Sequence, residues 1–106
     1  MLNMRAVLCN MKHLQKLITV LKEARACLAL ENNDFSWSSW RDQDHAIAEI
    51  DSIIAALENS SIPEIGFLFA PTGPIQEVSL SSGWGNEFLE LAAQFEKEYE
   101  SVKDQL

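Results

Sequence analysis

The fold of this chain is decided by the stretch MKHLQKLITVLKEARACL, residues 11–28. Its apolar residues recur at steps of three and four, which is the spacing of one side of an α-helix. The same spacing runs from about Asn3 to Leu30 and is interrupted at Arg25. No proline or glycine occurs before residue 63. We therefore expect one long first helix with one side buried in a core.

Two further apolar stripes have helical spacing. One lies in residues 39–58, where Ser39 followed by Asp42 forms a helix-start signal, and the other begins at Asn86. The connection between the first two helices is short, so they should lie antiparallel. The chain has 106 residues, the usual size of a single domain. We expect one all-α domain over residues 1–106, built as an antiparallel three-helix bundle.

Residues 62–86 differ from the rest, because they contain all three prolines and all four glycines of the chain. The segment also carries many large apolar side chains, which a purely solvated loop would not. We predict short helical turns around residues 63–69 and 74–80 that cover one end of the bundle. A β-hairpin from Phe67 to Leu80 is the alternative, because residues 77–80 alternate between polar and apolar.

The chain is acidic, with a formal net charge of −8. Residues 1–30 carry five basic residues and one acid, whereas the remainder carries fifteen acids and three bases. Nucleic acids and anionic membranes are both bound through clustered lysine and arginine, so we expect neither as a partner. No apolar run is long enough for a signal peptide or a membrane span, and we expect a cytoplasmic protein.

Arg25 falls inside the apolar stripe of the first helix. A guanidinium group at such a position must reach solvent along its stem or meet a carboxylate. Three acids recur every seven residues on one flank of the second helix, namely Asp44, Asp51 and Glu58. We expect an ion pair between Arg25 and one of these acids. The same three acids are candidate contacts for a basic protein partner.

The sequence has neither the nucleophile elbow of α/β-hydrolases nor a phosphate-binding glycine-rich loop, which favours a non-catalytic protein. Cys9 with His13, and His45 with Glu49, are spaced by four residues and are ligand types that zinc accepts. Such pairs often arise by chance, and a solvated histidine beside a thiol at the edge of the core is the ordinary interpretation. We predict no metal and no cofactor, with these four residues as the candidates should a metal bind.

Two tryptophans are candidate partner contacts, because tryptophan is enriched at binding hot spots. Trp37 stands between two serines, and Trp84 stands between two glycines. The alternative for Trp37 is that it closes one end of the bundle against residues 62–86. A homodimer is a further expectation, formed through an exposed apolar strip of the first helix at Met4, Val7, Leu8 and Met11.

In size, acidity and helical character, the chain is similar to bacterial toxin-immunity proteins, and this resemblance is one of composition. It implies a small protein that neutralises another protein by binding it. We therefore expect a non-catalytic interaction protein with a basic partner. The alternative is a regulatory protein that binds a small ligand or a metal in a pocket between the bundle and residues 62–86.

Overall fold

The computed structural model describes residues 4–36, 38–59, 61, 65–70 and 73–103, and for residues 4–11 it describes the backbone alone. The described residues are mostly helical and include no strand. Four α-helices pack together: α1 (Met4–Leu28), α2 (Gln43–Glu58), α3 (Pro74–Ser82) and α4 (Gly85–Lys103). A short 3₁₀ helix, Gly66–Phe69, lies between α2 and α3. The all-α prediction is confirmed, whereas the expected count of three helices is not, because residues 74–82 form a helix of their own.

The central element is α1, which packs against both α2 and α4. Arg25 of α1 pairs with Asp51 of α2, and Lys22, one turn earlier, pairs with the later residue Glu58. The chain directions of α1 and α2 are therefore opposite. Residues of α1 and α4 meet in the same reversed order, since His13 in the first half of α1 contacts Glu98 near the end of α4, whereas Cys27 near the end of α1 feels the charge of Glu87 near the start of α4. The expected antiparallel packing is thus present in both pairs of long helices.

The predicted apolar stripes form the core. Their fully buried members include Leu17, Leu21, Ala24 and Leu28 of α1, and Ala46, Ile50 and Leu57 of α2. Ile75 and Val78 of α3, outside the predicted stripes, are also fully buried. From α4, the side chains of Phe88, Leu91, Phe95 and Val102 complete it. Each stripe is buried because its residues recur on one side of a helix that faces another helix.

The start of α2 differs from the sequence prediction. Asp42 is itself the N-cap residue, and its Oδ1 atom accepts a hydrogen bond from the backbone N–H of His45 at 2.9 Å. The hydroxyl of Ser39 was expected in that role, but the helix begins only at Gln43. The neighbouring hydroxyl of Ser38 instead accepts a hydrogen bond from the backbone N–H of Trp40. An aspartate at the N-cap also places negative charge at the positive end of the helix dipole.

Residues 73–85 form α3 and the sharp turn into α4. Pro74 occupies the first turn of α3, where its missing N–H costs no helical hydrogen bond. Gly83 ends α3 with a φ of 87°, the left-handed conformation that favours glycine. The backbone N–H of Trp84 then bonds to the carbonyl of Ser79. The predicted helical turns are present at residues 66–69 and 74–82, and the alternative β-hairpin is not confirmed.

None of the helices in the described part of the chain is long and apolar enough to cross a membrane. The cytoplasmic location expected from the sequence stays a prediction.

Candidate functional site

The predicted ion pair of Arg25 is present, and its partner is Asp51. The Nε atom of Arg25 donates to Oδ1 of Asp51 at 2.5 Å, and Nη2 donates to Oδ2 at 3.2 Å. This two-point contact lowers the pKa of Asp51 and raises that of Arg25, chiefly through the side-chain hydrogen bonds. One turn away, the Nζ atom of Lys22 lies 3.6 Å from Oε1 of Glu58. Two of the three acids expected to contact a partner are therefore paired with bases of α1.

The third of these acids, Asp44, lies exposed in the first turn of α2. A carboxylate is stabilised there by the positive end of the helix dipole, which gives it a structural explanation. Its role as a partner contact stays a prediction.

Trp84 lies in the core, and its role as a partner contact stays a prediction. Only 6% of the residue is exposed, and its Nε1 atom donates to Oδ1 of Asn33 at 2.8 Å. The Nδ2 atom of Asn33 in turn donates to the carbonyls of Cys27 and Leu28 at the end of α1. Asn33 lies three residues after Leu30, where the predicted helical spacing ends, and that spacing did not reveal that Asn33 links α1 to the tryptophan before α4. Trp37 lies outside the described residues.

The candidate metal ligands whose side chains are described, His13, His45 and Glu49, are not brought together. His45 lies at the start of α2, beside the end of α1, because Gln43 bonds to the carbonyls of Leu28 and Leu30. His13 is fifteen residues before Leu28, or about 22 Å along the helix axis. Cys9 lies among the residues whose side chains are not described. Where side chains are described, no group of three or more histidine, cysteine, aspartate or glutamate residues is arranged to hold a metal.

The histidine and glutamate candidates have other partners. The Nδ1 atom of His45 accepts a hydrogen bond from the backbone N–H of Arg41 at 3.1 Å. The Nε1 atom of Trp40 donates to Oε2 of Glu49 at 2.6 Å. His13 contacts Glu98, a residue that sequence reasoning passed over. Glu98 follows the core residue Leu91 by seven positions, which places both residues on the same side of α4. This spacing could have predicted that Glu98 is buried.

The dimer strip expected on the first helix, at Met4, Val7, Leu8 and Met11, lies where only the backbone is described. That backbone is helical, as predicted. Self-association through these side chains stays a prediction.

A groove runs between the 3₁₀ helix and the second half of α4. Its volume is about 290 Å³, and its walls include the rings of Phe69, Phe95 and Tyr99. The ring of Phe95 stacks on both of the others, with its centroid 4.5 Å from that of Phe69 and 5.2 Å from that of Tyr99. The exposed residues Glu96 and Glu100 also line the groove. It is therefore an aromatic groove that two glutamates also line.

The groove continues into an exposed stripe on α4. Leu89, Glu96 and Glu100 are spaced by seven and four residues, so they lie along one side of the helix. Leu89 is 62% exposed, and Leu80 at the end of α3 is 68% exposed. A Cβ atom at Gly85, four residues before Leu89, would lie 3.4 Å from the side chain of Leu80, which places both leucines on this side of the molecule. We call Leu80, Leu89, Glu96 and Glu100 the α4 stripe.

No protein-family model matches the chain, and neither a curated protein nor a solved structure shows a significant similarity to it.

Proposed function

We propose that this chain is a non-catalytic interaction protein that binds a basic protein through the α4 stripe. The observation that carries the proposal is a line of exposed side chains on one side of α4, in which Glu96 and Glu100 follow Leu89 at helical spacing.

Both components of the α4 stripe have a role in binding. Exposed apolar side chains that lie together are typical of protein contact sites, because their burial supplies affinity. Exposed acids beside them raise the rate of encounter with a basic partner and select for it. Five acids against two lysines in α4 give this helix a surplus of negative charge. Of the basic residues of α1, Lys22 and Arg25 pair with acids of α2, whereas Lys16 lines a hollow together with Lys97 of α4.

The test begins with affinity purification from the cells that make the chain, followed by reconstitution with each purified candidate. The proposal requires an association rate that falls about tenfold or more between low and high salt. It also requires that L80S/L89S weaken binding mainly through faster dissociation. The matched control is Leu30→Ser, because Leu30 is 53% exposed but lies two residues after the end of α1.

Three results would contradict the proposal: a rate of association insensitive to salt, equal binding by L80S/L89S and the wild type, or the same loss in L30S. If only Asp44→Asn weakened binding of the partner, the contact surface would instead be the one on α2 that the sequence predicted. Circular dichroism of each variant establishes that the helices are retained.

A second candidate function is a regulator that binds a small ligand in the groove beside the 3₁₀ helix. The observation that favours it is the concave aromatic lining, at a volume of about 290 Å³ near the lower end of small-molecule sites. A metabolite that raises the melting temperature in proportion to its concentration, and less so in Ala92→Trp, would support this function. A substitution that fills the groove should have no effect if the ligand binds elsewhere.

A further inference from the structure

We propose that the side chain of His13 accepts a phosphoryl group at its Nε2 atom. The inference concerns the contact between α1 and α4, and it does not depend on a partner of the α4 stripe. Three observations carry it: the buried carboxylate that holds the ring of His13, the ring nitrogen that this contact leaves free, and two unpaired lysines beside the same carboxylate.

Glu98 fixes which nitrogen of His13 carries a proton. Its Oε2 atom lies 2.5 Å from Nδ1 of His13, and only 5% of Glu98 is exposed. An ionised carboxylate only accepts hydrogen bonds, so the proton of a neutral imidazole ring must lie on Nδ1. The lone pair then lies on Nε2, which makes no hydrogen bond within the described part of the chain. The side chain of His13 is 24% exposed, so solvent reaches part of the ring.

His45 has the opposite arrangement and serves as an internal comparison. Its Nδ1 atom accepts a hydrogen bond from the backbone N–H of Arg41 at 3.1 Å. The lone pair is therefore occupied at Nδ1, and the proton of the neutral ring lies on Nε2. A ring nitrogen that carries a proton is not a nucleophile. The two histidines of the chain thus differ in whether Nε2 can attack a phosphorus atom.

The carboxylate of Glu98 also stabilises the product of the reaction. The donor is a compound with a labile phosphorus–nitrogen bond. When the lone pair of Nε2 forms a bond to phosphorus, the phosphorus–nitrogen bond of the donor breaks, and its amine leaves with that electron pair. The ring of His13 then carries a positive charge, with its proton still on Nδ1. A carboxylate against that N–H stabilises the charge, as the acid of a catalytic triad does, so Glu98 is a positioning residue.

Two lysines make a phosphoryl group the fitting substrate. Lys16 of α1 and Lys97 of α4 line a hollow of about 220 Å³, which Glu98 also lines. Neither lysine is paired with an acid among the residues that the structure describes. Lys16 lies three residues after His13, so the two side chains share one side of α1. Ammonium groups bind the charged oxygens of a phosphoryl group, whereas an uncharged acyl group would gain nothing from them.

The experiment treats the full chain with potassium phosphoramidate, a small donor with a labile phosphorus–nitrogen bond, at about pH 8. Mass spectrometry measures the rate at which each histidine gains a phosphoryl group, and ³¹P nuclear magnetic resonance identifies the ring nitrogen that carries it. We expect the Nε2 isomer at His13, formed about tenfold or more faster than any product at His45. In urea the two rates should become equal, because the contacts with Glu98 and Arg41 are lost.

Three variants separate the reaction from the stability of the fold. His13→Asn keeps an N–H donor for Glu98 and removes the nucleophilic nitrogen, so it should lose the label, whereas His45→Gln should keep it. Glu98→Gln should slow the labelling of His13 about tenfold or more, since a neutral amide does not stabilise the positive ring. Circular dichroism establishes that the helices are retained. A folded Glu98→Gln variant that reacts at the wild-type rate would overturn the inference.

The lysines are tested with a matched pair of variants. K16Q/K97Q should lower the rate at His13 about tenfold, because the hollow no longer attracts the anionic donor. K22Q/R41Q makes the same change in net charge elsewhere, since Lys22 pairs with Glu58 and Arg41 lies just before α2. It should react at nearly the wild-type rate. Equal rates in the two double variants would overturn the inference.

The wild-type chain decides even if a variant does not fold. Equal rates at His13 and His45 in the folded state would overturn the inference, as would the Nδ1 isomer at His13 or no label at all. Each of these results would mean that the contact with Glu98 serves the stability of the fold alone.

Discussion

The Nδ1 atom of His13 lies 2.5 Å from the Oε2 atom of Glu98, and this contact joins the first helix of the chain to the last. Glu98 is only 5% exposed, and among the described residues it is the one charged side chain in the core. A buried carboxylate costs free energy unless it is paired and hydrogen-bonded. The histidine supplies that partner from across the α1–α4 interface.

We therefore expect His13→Ala to lower the free energy of unfolding by roughly 1–3 kcal/mol, because Glu98 keeps its burial and loses its partner. The double variant H13L/E98L should return close to the wild type, since both groups are replaced by apolar ones. Urea denaturation measures each value. Lys22→Ala, which breaks the exposed pair with Glu58, is the control and should have a smaller effect. A loss in H13A no larger than in K22A would contradict the prediction.

The pair of Arg25 and Asp51 predicts a pH dependence of stability. The hydrogen bonds from Arg25 hold the pKa of Asp51 below its ordinary value of 3.8. A carboxyl group with a lowered pKa in the folded state stabilises that state above the unfolded pKa, and the contribution is lost as the pH falls through the folded pKa. The wild type should therefore exceed Asp51→Asn in urea midpoint at pH 6, and the difference should shrink below pH 3.8. A difference that is constant from pH 6 to about pH 2 would be evidence against this account.

Cys27 should react slowly with alkylating reagents. Burial raises the pKa of its thiol above the ordinary value of 9.0, and the nearby charges of Glu87 and Glu23 raise it further. Because the thiolate is the reactive form, little of it is present at pH 8. In a Cys9→Ser background, the rate of reaction with iodoacetamide should rise strongly when urea unfolds the chain. Equal rates in the folded and unfolded states would show that the thiol is accessible and unperturbed.

Two glycines should differ in their tolerance of alanine. A Cβ atom at Gly83 meets nothing within 4 Å, so Gly83→Ala adds only the strain of a positive φ, about 1 kcal/mol. A Cβ atom at Gly73 would lie 2.5 Å from the carbonyl oxygen of Phe67, so the backbone must move. Gly73→Ala should be the more destabilising in urea unfolding, and Gly83→Asn should be milder than Gly83→Ala. If Gly83→Ala were the more destabilising of the two, the backbone between the 3₁₀ helix and α3 would be able to move aside for a Cβ atom at little cost in free energy.

Asn33 should be important for stability, although it lies in a connector. It accepts a hydrogen bond from Trp84 and donates to the carbonyls of Cys27 and Leu28. Asn33→Ala leaves these groups without their partner, and we expect a loss of about 1–2 kcal/mol in thermal or urea unfolding. Its exposed neighbour Asn32 is the control, and Asn32→Ala should have little effect. Equal effects of the two variants would show that water replaces the bonds of Asn33.

Much of the fold could be predicted because helices are local. The stripes containing Leu21, Ile50 and Phe95 were recognisable from spacing alone, and all three residues are buried. The prediction was less complete where several local signals competed. Ser39 and Asp42 both suit an N-cap, and only the backbone geometry shows that Asp42 occupies it. Trp84 lies between two glycines, which is typical of an exposed turn. It is nevertheless buried, and its Nε1 atom donates to Asn33.

The sequence by itself determined that the chain is helical, which sides of its long helices are buried, and that the guanidinium group of Arg25 must reach solvent or meet a carboxylate. These follow from periodicity and from the cost of leaving a charge in an apolar stripe. Only the tertiary structure decided that the partner is Asp51, that Glu98 meets His13, and that the carboxylates of Glu96 and Glu100 line an aromatic groove. Such pairings depend on which helix lies beside which, and at what height along it. Spacing within one helix carries no information about either.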